Sequence, residues 1–254
     1  MPVILADGIV TRYTNYREND RIISIFTVDR GRVDAKARGC RRPTSPLLPA
    51  CQAFVYGQFE LFTAKDKYTV NQCDIRESFF PLREDYGRFS YASAMLQLCH
   101  NAVQEGEPNE ALFSLLYHGL SYLAYGESQP EDLFLCFLIR FLSCIGYRPA
   151  ITACAVCNRD VRGDTRLFFL PEKGGVVCGA CAGNRTPVSK LALEALRRML
   201  LLNDDEMQKV KLTDALRKEL MGALTGYLTY VLDYGERALS LLHMETELPG
   251  PDGR

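Results

Sequence analysis

Long apolar runs are missing from this 254-residue chain. The longest, Leu133 to Ile139, stops after seven residues at Arg140, well short of the roughly 20 that span a bilayer. Val3 to Ala6 is too short for a secretory core and Asp7 closes it, so no targeting segment is expected. Histidine is scarce: His100, His118 and His243 lie far apart, and each reads as a packing or surface residue rather than a base. No P-loop, Gly-rich dinucleotide turn, HExxH or GxSxG occurs. The carboxylate pairs Glu131-Asp132 and Asp204-Asp205 fall at helix ends, where capping and the macrodipole account for them. The sequence therefore assigns no reaction, and the expectation is a protein that is not an enzyme. Repeats and low-complexity tracts are absent. So is an excess of charge, since the net charge of −1 argues neither for nor against a nucleic-acid partner.

Cysteine, by contrast, is plentiful at ten residues. Four form two tight pairs, Cys154-Ala-Val-Cys157 and Cys178-Gly-Ala-Cys181. Two residues between paired cysteines let both thiolates converge on one ion, and two such knuckles complete a tetrahedral Cys₄ zinc site. A closed tetrahedron has no open position for water, so the single zinc is expected to be structural. A redox CxxC needs a βαβ setting and normally one pair, and structural disulfides need an oxidising compartment. Arg166 to Leu170 reads as a strand, Pro171 to Gly175 as a turn, and Val176-Val177 as the return, which is a zinc-ribbon layout. Without a secretory signal the remaining six (Cys40, Cys51, Cys73, Cys99, Cys136, Cys144) read as free thiols in a reducing cytoplasm, used as small hydrophobes.

Periodicity divides the rest. Up to about residue 77 the pattern is strand and turn: Ile9–Asn15, Ile22–Val28, Val33–Arg38, Ala53–Thr63 and Tyr68–Arg76, with Gly31 in a turn that favours positive φ. Five short strands in about seventy residues suit a small closed barrel of the OB type. After Pro81 the spacing becomes helical, through Phe89 to Val103, Leu112 to Leu123, and a third helix from Ser128-Gln-Pro-Glu131, read as a capping box, to Gly146. This third helix is apolar nearly all round, which predicts the centre of a bundle. Helical pattern resumes at Thr186-Pro187, and a last long helix is expected from Leu212 through Tyr234 to Ala238. Pro249 to Arg254 reads as a disordered end. The fold class is thus α+β: a five-stranded OB-type barrel over residues 1–80, then a helical domain over 81–254 with a zinc ribbon inserted at 151–185.

Charge is uneven along this plan. Residues 1–82 hold twelve Lys/Arg against nine Asp/Glu, while the remainder holds eighteen against twenty-two. The concentration lies at residues 10–42, with nine cations against four anions. Lys36 and Arg38 share a strand face by the period of two, and Arg41-Arg42 continue past Gly39. Tyr13, Tyr16 and Phe26 are near enough to act as stacking platforms. OB folds hold single strands on such a basic, aromatic face without reading sequence. The same composition also describes a solvated strand face with core aromatics.

The order of parts resembles the bacterial recombination-mediator family RecO over most of the chain. The barrel signature resides in Tyr16-Arg-Glu-Asn-Asp20, Phe26-Thr27 with Arg30-Gly31-Arg32, and Gly39 to Arg41-Arg42-Pro43 and Ser45. Leu142 to Arg148 and Pro149 before the first knuckle carry the most specific motif, followed by Gly174 to Cys178 and Ser240-Leu241. The family usually has glycine where Arg17 stands, and Leu48-Pro49 followed by Ala50-Cys51 is less typical. The resemblance implies a cytoplasmic, nucleoid-associated protein that binds single- and double-stranded DNA and anneals complementary strands. It implies work with RecR to load RecA onto strands coated by single-strand-binding protein (SSB), and no membrane partner. DNA contacts are then expected from Arg32, Lys36, Arg38, Arg41 and Arg42, with Arg21 and Arg30 at the margin. The acidic SSB tail is expected in the helical domain near Arg140, Lys190, Arg197 and Arg198. Two other classes compete: a thiol-disulfide oxidoreductase and a zinc-ribbon transcription factor.

Overall fold

The computed structural model describes residues 2–65, 67–183 and 187–243. Its first five strands are β1 (Val3–Tyr16), β2 (Asp20–Thr27), β3 (Gly31–Ala37), β4 (Tyr56–Ala64) and β5 (Lys67–Glu77). They close into a barrel in the order β1-β2-β3-β5-β4. Neighbours run antiparallel except β3 and β5, whose short parallel seam pairs Ala35 with Tyr68 and Lys36 with Thr69. Alternation fills the interior: Ile23, Ile25, Val33, Ala35, Ala37, Phe59 and Leu61 are all buried. β1 starts at Val3, before the stretch whose periodicity is legible from Ile9, because β4 supplies a partner from Val3↔Phe62 onward. A bulge at Thr11 shifts the β1–β2 register between Val10 and Arg12.

The helical body holds α1 (Tyr86–Ala102), α2 (Glu110–Tyr125) and α3 (Pro130–Cys144), then the ribbon strands β6 (Leu167–Leu170) and β7 (Gly175–Cys178) with a short α4 (Gly179–Ala182). After these come α5 (Lys190–Leu201), α6 (Asp214–Val231) and α7 (Gly235–His243). α3 is the central helix, with every residue from Asp132 to Leu142 buried except Arg140. Truncating one of its phenylalanines, such as Phe137→Ala, is worth about 3–5 kcal/mol. Its end is a Schellman turn: Gly146 has φ +88°, its N–H donates to Ser143, and the Tyr147 N–H donates to Leu142 at 2.8 Å.

Three expectations are corrected. Ser128 does not cap α3; Gln129 precedes Pro130, and the Ser128 hydroxyl donates instead to the Gln208 carbonyl. The long last helix is two, because Leu232 is extended and the chain doubles back so closely that a Cβ on Gly235 would sit 2.9 Å from the Leu228 oxygen. α5 begins at Lys190, capped by Ser189, three residues beyond Pro187. Thr186 and the segment Pro249 to Arg254 lie outside the described residues.

The barrel seats on the helices through its own outer face. Ile9, Phe26 and Phe54 belong to the apolar cluster of the helical body rather than to the barrel interior. Phe26 meets Phe113 edge to face at 5.3 Å. At Gly31 (φ +66°) the β2–β3 turn presses on the α1–α2 loop, where the Arg32 N–H donates to Gln104 and the Gly106 N–H donates to Arg30. A Cβ on Gly31 would lie 2.2 Å from the Gln104 oxygen, so only glycine permits this approach. Among the described residues no helix is long and apolar enough to cross a membrane.

Candidate metal centre and nucleic-acid interface

The ribbon brings both knuckles together. β6 and β7 pair antiparallel from Leu167↔Cys178 to Leu170↔Gly175, carrying Cys178 back beside the loop that holds Cys154 and Cys157. The four sulfurs lie within 4.8 Å of one another, and none is in a disulfide. Burial would raise the Cys154 thiol, but the N–H groups of Cys157, Cys178 and Val156 outweigh it and bring it down to about 6. The Arg159 guanidinium lowers Cys178, while the hydrogen bond to Cys178 holds Cys181 up at about 12. A cation at the centre would replace the protons these sulfurs share, and the cluster can hold a metal ion. Val161, Phe168, Val176 and Val177 bury the ribbon in the same cluster as the helices, and Phe169 meets Tyr227 of α6 at 5.8 Å. The ribbon therefore braces the bundle.

On the barrel, the seven expected DNA cations separate into two ends of β3. At the far end, the β1–β2 turn and the loop after β3 knit together. The Gly39 N–H donates to Asp20, Lys36 pairs with Asp20 at 3.0 Å, and the Arg41 side chain donates to the Glu18 carbonyl at 2.9 Å. Those donors, the Gly39 N–H foremost and Lys36 next, hold the Asp20 carboxyl below its usual range. Arg38, Arg41 and Arg42 are exposed, and neither Arg38 nor Arg42 has an ion-pair partner among the described residues. Exposed rings complete this end: Lys36 lies over Tyr16 at 4.8 Å and Arg21 over Tyr13 at 4.2 Å. Arg21 also donates to the Cys51 carbonyl.

At the near end Arg30 pairs with Asp29 and Arg32 donates to the His100 carbonyl of α1, so Arg32 joins barrel to helices. Phe26, read from sequence as a stacking platform, is fully buried against Phe113. Arg17, counted in the basic segment but not among the expected DNA contacts, also belongs to the tip. Its φ of +55° explains why glycine suits that position, and its guanidinium reaches the Tyr16 ring at 5.4 Å.

The four helical cations also differ. Arg140 is committed to the Leu202 carbonyl and Asp204, and Arg197 to the Ile151 carbonyl. Lys190 is exposed at the start of α5. Arg198 alone of the four lines a groove of about 430 Å³ between α5 and the segment leading into α6. Met199, Val210 and Leu216 give that groove an apolar floor; Lys211 adds a cation absent from the sequence expectation, Lys209 is paired with Glu206 at 2.9 Å, and Glu194 also lines the groove.

An OB-type barrel seated on a helical body, with a four-cysteine ribbon let into the helices, defines the class: a barrel-and-bundle protein whose barrel tip exposes cations and aromatic rings. The family model for Recombination protein O N terminal matches residues 1–79, and that for Recombination protein O C terminal matches residues 83–239. A DNA repair protein RecO from Pelotomaculum thermopropionicum is 34% identical over 256 residues, covering 100% of this chain and 98% of its own. Those of Moorella thermoacetica (30%, covering 94% of this chain and 90% of its own) and Alkaliphilus metalliredigens (33%, 91% and 94%) align as broadly. The chain belongs to the RecO family of DNA repair and recombination proteins.

Proposed function

We propose that this chain is a non-enzymatic recombination mediator. It binds single- and double-stranded DNA on the barrel, anneals complementary strands, and with RecR helps load RecA onto SSB-coated single strands in the cytoplasm. The observation that carries this reading is the far end of the barrel, where Lys36 and Arg17 lie over the exposed ring of Tyr16 and Arg21 over that of Tyr13, beside the exposed Arg38, Arg41 and Arg42. Annealing needs no catalytic side chain. It needs cations that offset repulsion between two polyanions, and rings that hold a base without reading it. The division near residue 80, with barrel for DNA and helices for protein docking, belongs to the same proposal.

The ion in the ribbon is zinc in this reading. Four thiolates and no open position are a structural zinc donor set, and a tetrahedron of ~2.3 Å Zn–S bonds has sulfur–sulfur edges of about 3.8 Å. The Cys157–Cys178 separation of 3.9 Å supports that fit. The groove beside α5 suits the acidic SSB tail, with an apolar floor for side chains and Arg198 and Lys211 for carboxylates, while Lys209 is already paired with Glu206.

Binding and annealing of complementary oligonucleotides, measured with and without SSB, test the proposal. Annealing that persists on SSB-coated strands is the expected result. Failure to bind DNA, thiol-disulfide exchange activity, or binding confined to one duplex sequence would each refute it.

A further inference from the structure

The outer face of β1–β2–β3 does not end flush against the helical body. Where they part, the surface folds into a cavity of about 370 Å³, within the range of roughly 300–1,000 Å³ that takes small organic groups. One ridge of α1 forms a wall, with Phe89, Ser93, Gln97 and Asn101 following one another at four-residue steps. Phe54 stands against Phe89 at 5.6 Å, so the two rings give the cavity an aromatic side. Phe89 is 38% exposed, leaving part of its ring to solvent at the mouth.

Three features set this cavity apart from an incidental cleft. Phe54 holds φ at +74°, a conformation costly for a bulky residue, and is pinned there by its N–H donating to Val10 and by Arg83 gripping the Ala53 carbonyl at 2.6 Å. The polar groups of Ser93, Gln97 and Asn101 have no hydrogen-bond partner among the described residues, although Ser93 and Gln97 are half-buried. At the floor, the Thr11 hydroxyl is 3.1 Å from both the Ser24 carbonyl and His100 Nδ1, and both contacts are satisfied together when the hydroxyl donates to Ser24 and the Nδ1 proton is donated to the hydroxyl. In that tautomer His100 Nε2 is an acceptor. Burial, followed by the Arg32 and Arg12 charges, holds the ring neutral by lowering its pKa to about 4.

The rim is cationic. Arg12 from β1 and Arg237 from α7 flank the opening, both exposed and neither ion-paired among the described residues. Arg12 also begins a continuous path. It lies four residues, about 13 Å, from Tyr16 along β1, with Thr14, Ile22 and Lys36 in one row between.

We infer that this junction cavity receives one unstacked nucleobase of a bound single strand, anchoring the strand where it leaves the barrel tip. Phe89 offers ring contact, backed edge to face by the buried Phe54, the Gln97 and Asn101 amides and His100 Nε2 address the base edge, and Arg12 and Arg237 meet the adjoining phosphates. Amides both donate and accept, so the cavity tolerates every base while fixing the strand's position. This inference rests on the proposal that the barrel tip binds single strands.

The test scans 2-aminopurine through each position of a short single-stranded oligonucleotide bound by the full chain. One position is expected to change fluorescence far more than its neighbours. An abasic nucleotide at that position should weaken binding about tenfold more than one elsewhere. The double variant Gln97→Ala/Asn101→Ala, which alters only solvent-reaching polar groups, should abolish the distinctive signal while the oligonucleotide still binds through the tip. Bound oligonucleotide with no distinctive position, or a distinctive position that survives in the double variant, overturns the cavity inference and leaves the DNA-binding proposal standing. No binding at any position overturns both.

Discussion

His100 Nδ1 lies 3.1 Å from the Thr11 hydroxyl, a bond that joins α1 to the bulge of β1 across 89 residues of sequence. The imidazole is surrounded by Arg12 of β1 and by Arg32 and Asp34 of β3, with Arg237 of α7 lining the same cavity. Its pKa in the folded chain falls to about 4, from burial first and the two arginines next. An unfolded histidine titrates near 6.5, so between pH 6.5 and 4 the unfolded chain binds the extra proton. Stability is therefore full above about pH 6.5 and declines on acidification toward 4, by about 1–2 kcal/mol after allowance for partial exposure. Comparing unfolding of wild type and His100→Gln from pH 7 to 5 checks this. The variant should lack that part of the slope, and parallel curves would contradict it.

Arg17 occupies a left-handed turn at φ +55°. Glycine adopts that conformation freely, whereas a residue with a Cβ is strained there. Arg17→Gly should raise stability by about 0.5–1 kcal/mol, read as a modest rise in Tm, while slightly weakening DNA binding through the lost charge. A fall in Tm would show that the cation over Tyr16 outweighs the strain.

The ribbon shares its apolar cluster with the helices, so metal loss should be felt beyond residues 151–183. Elemental analysis should find one zinc per chain. Cys154→Ala or Cys178→Ala should remove it, expose the ribbon to protease, and lower Tm by on the order of 5–10 °C. Metal-free protein with the same Tm, or two disulfides, would contradict the assignment.

For the groove beside α5, Arg198→Glu with Lys211→Glu should weaken a peptide carrying the acidic SSB tail at least tenfold without unfolding the chain. Arg140→Ala should instead lower stability, since its guanidinium already holds Leu202 and Asp204. Equal peptide affinity in the double variant would place the tail elsewhere.

Local chemistry accounts for what was legible in the sequence. Period-two alternation, the Gly31 turn, the unbroken apolar character of Leu133 to Ile139 and the doubled CxxC each fix structure within a few residues, and each appears as expected. The rest is decided by tertiary neighbours. Leu228, Val231 and Tyr234 keep a helical spacing across the break, which only the return of the chain onto Leu228 imposes. Phe26 alternates like an outward strand residue, and outward proves to mean into the helical body. Arg32 is indistinguishable from Lys36 by pattern, yet one faces α1 and the other the tip. His100 carries no motif at all, because its partners come from β1 and β3.

In the function proposed, the far end of the barrel binds DNA phosphates. The most direct measurement is single-strand affinity against salt for wild type and for Lys36→Ala/Arg38→Ala/Arg41→Ala. Each lost phosphate contact flattens the log–log slope by ~0.7, so the triple variant should lose roughly two units and weaken on all sequences alike. Some loss of stability is expected, because Lys36 pairs with a half-buried Asp20 and Arg41 holds the Glu18 carbonyl, so circular dichroism and Tm establish that the variant is folded. A folded triple variant with unchanged affinity and unchanged slope would contradict the claim and move the interface to another face of the protein.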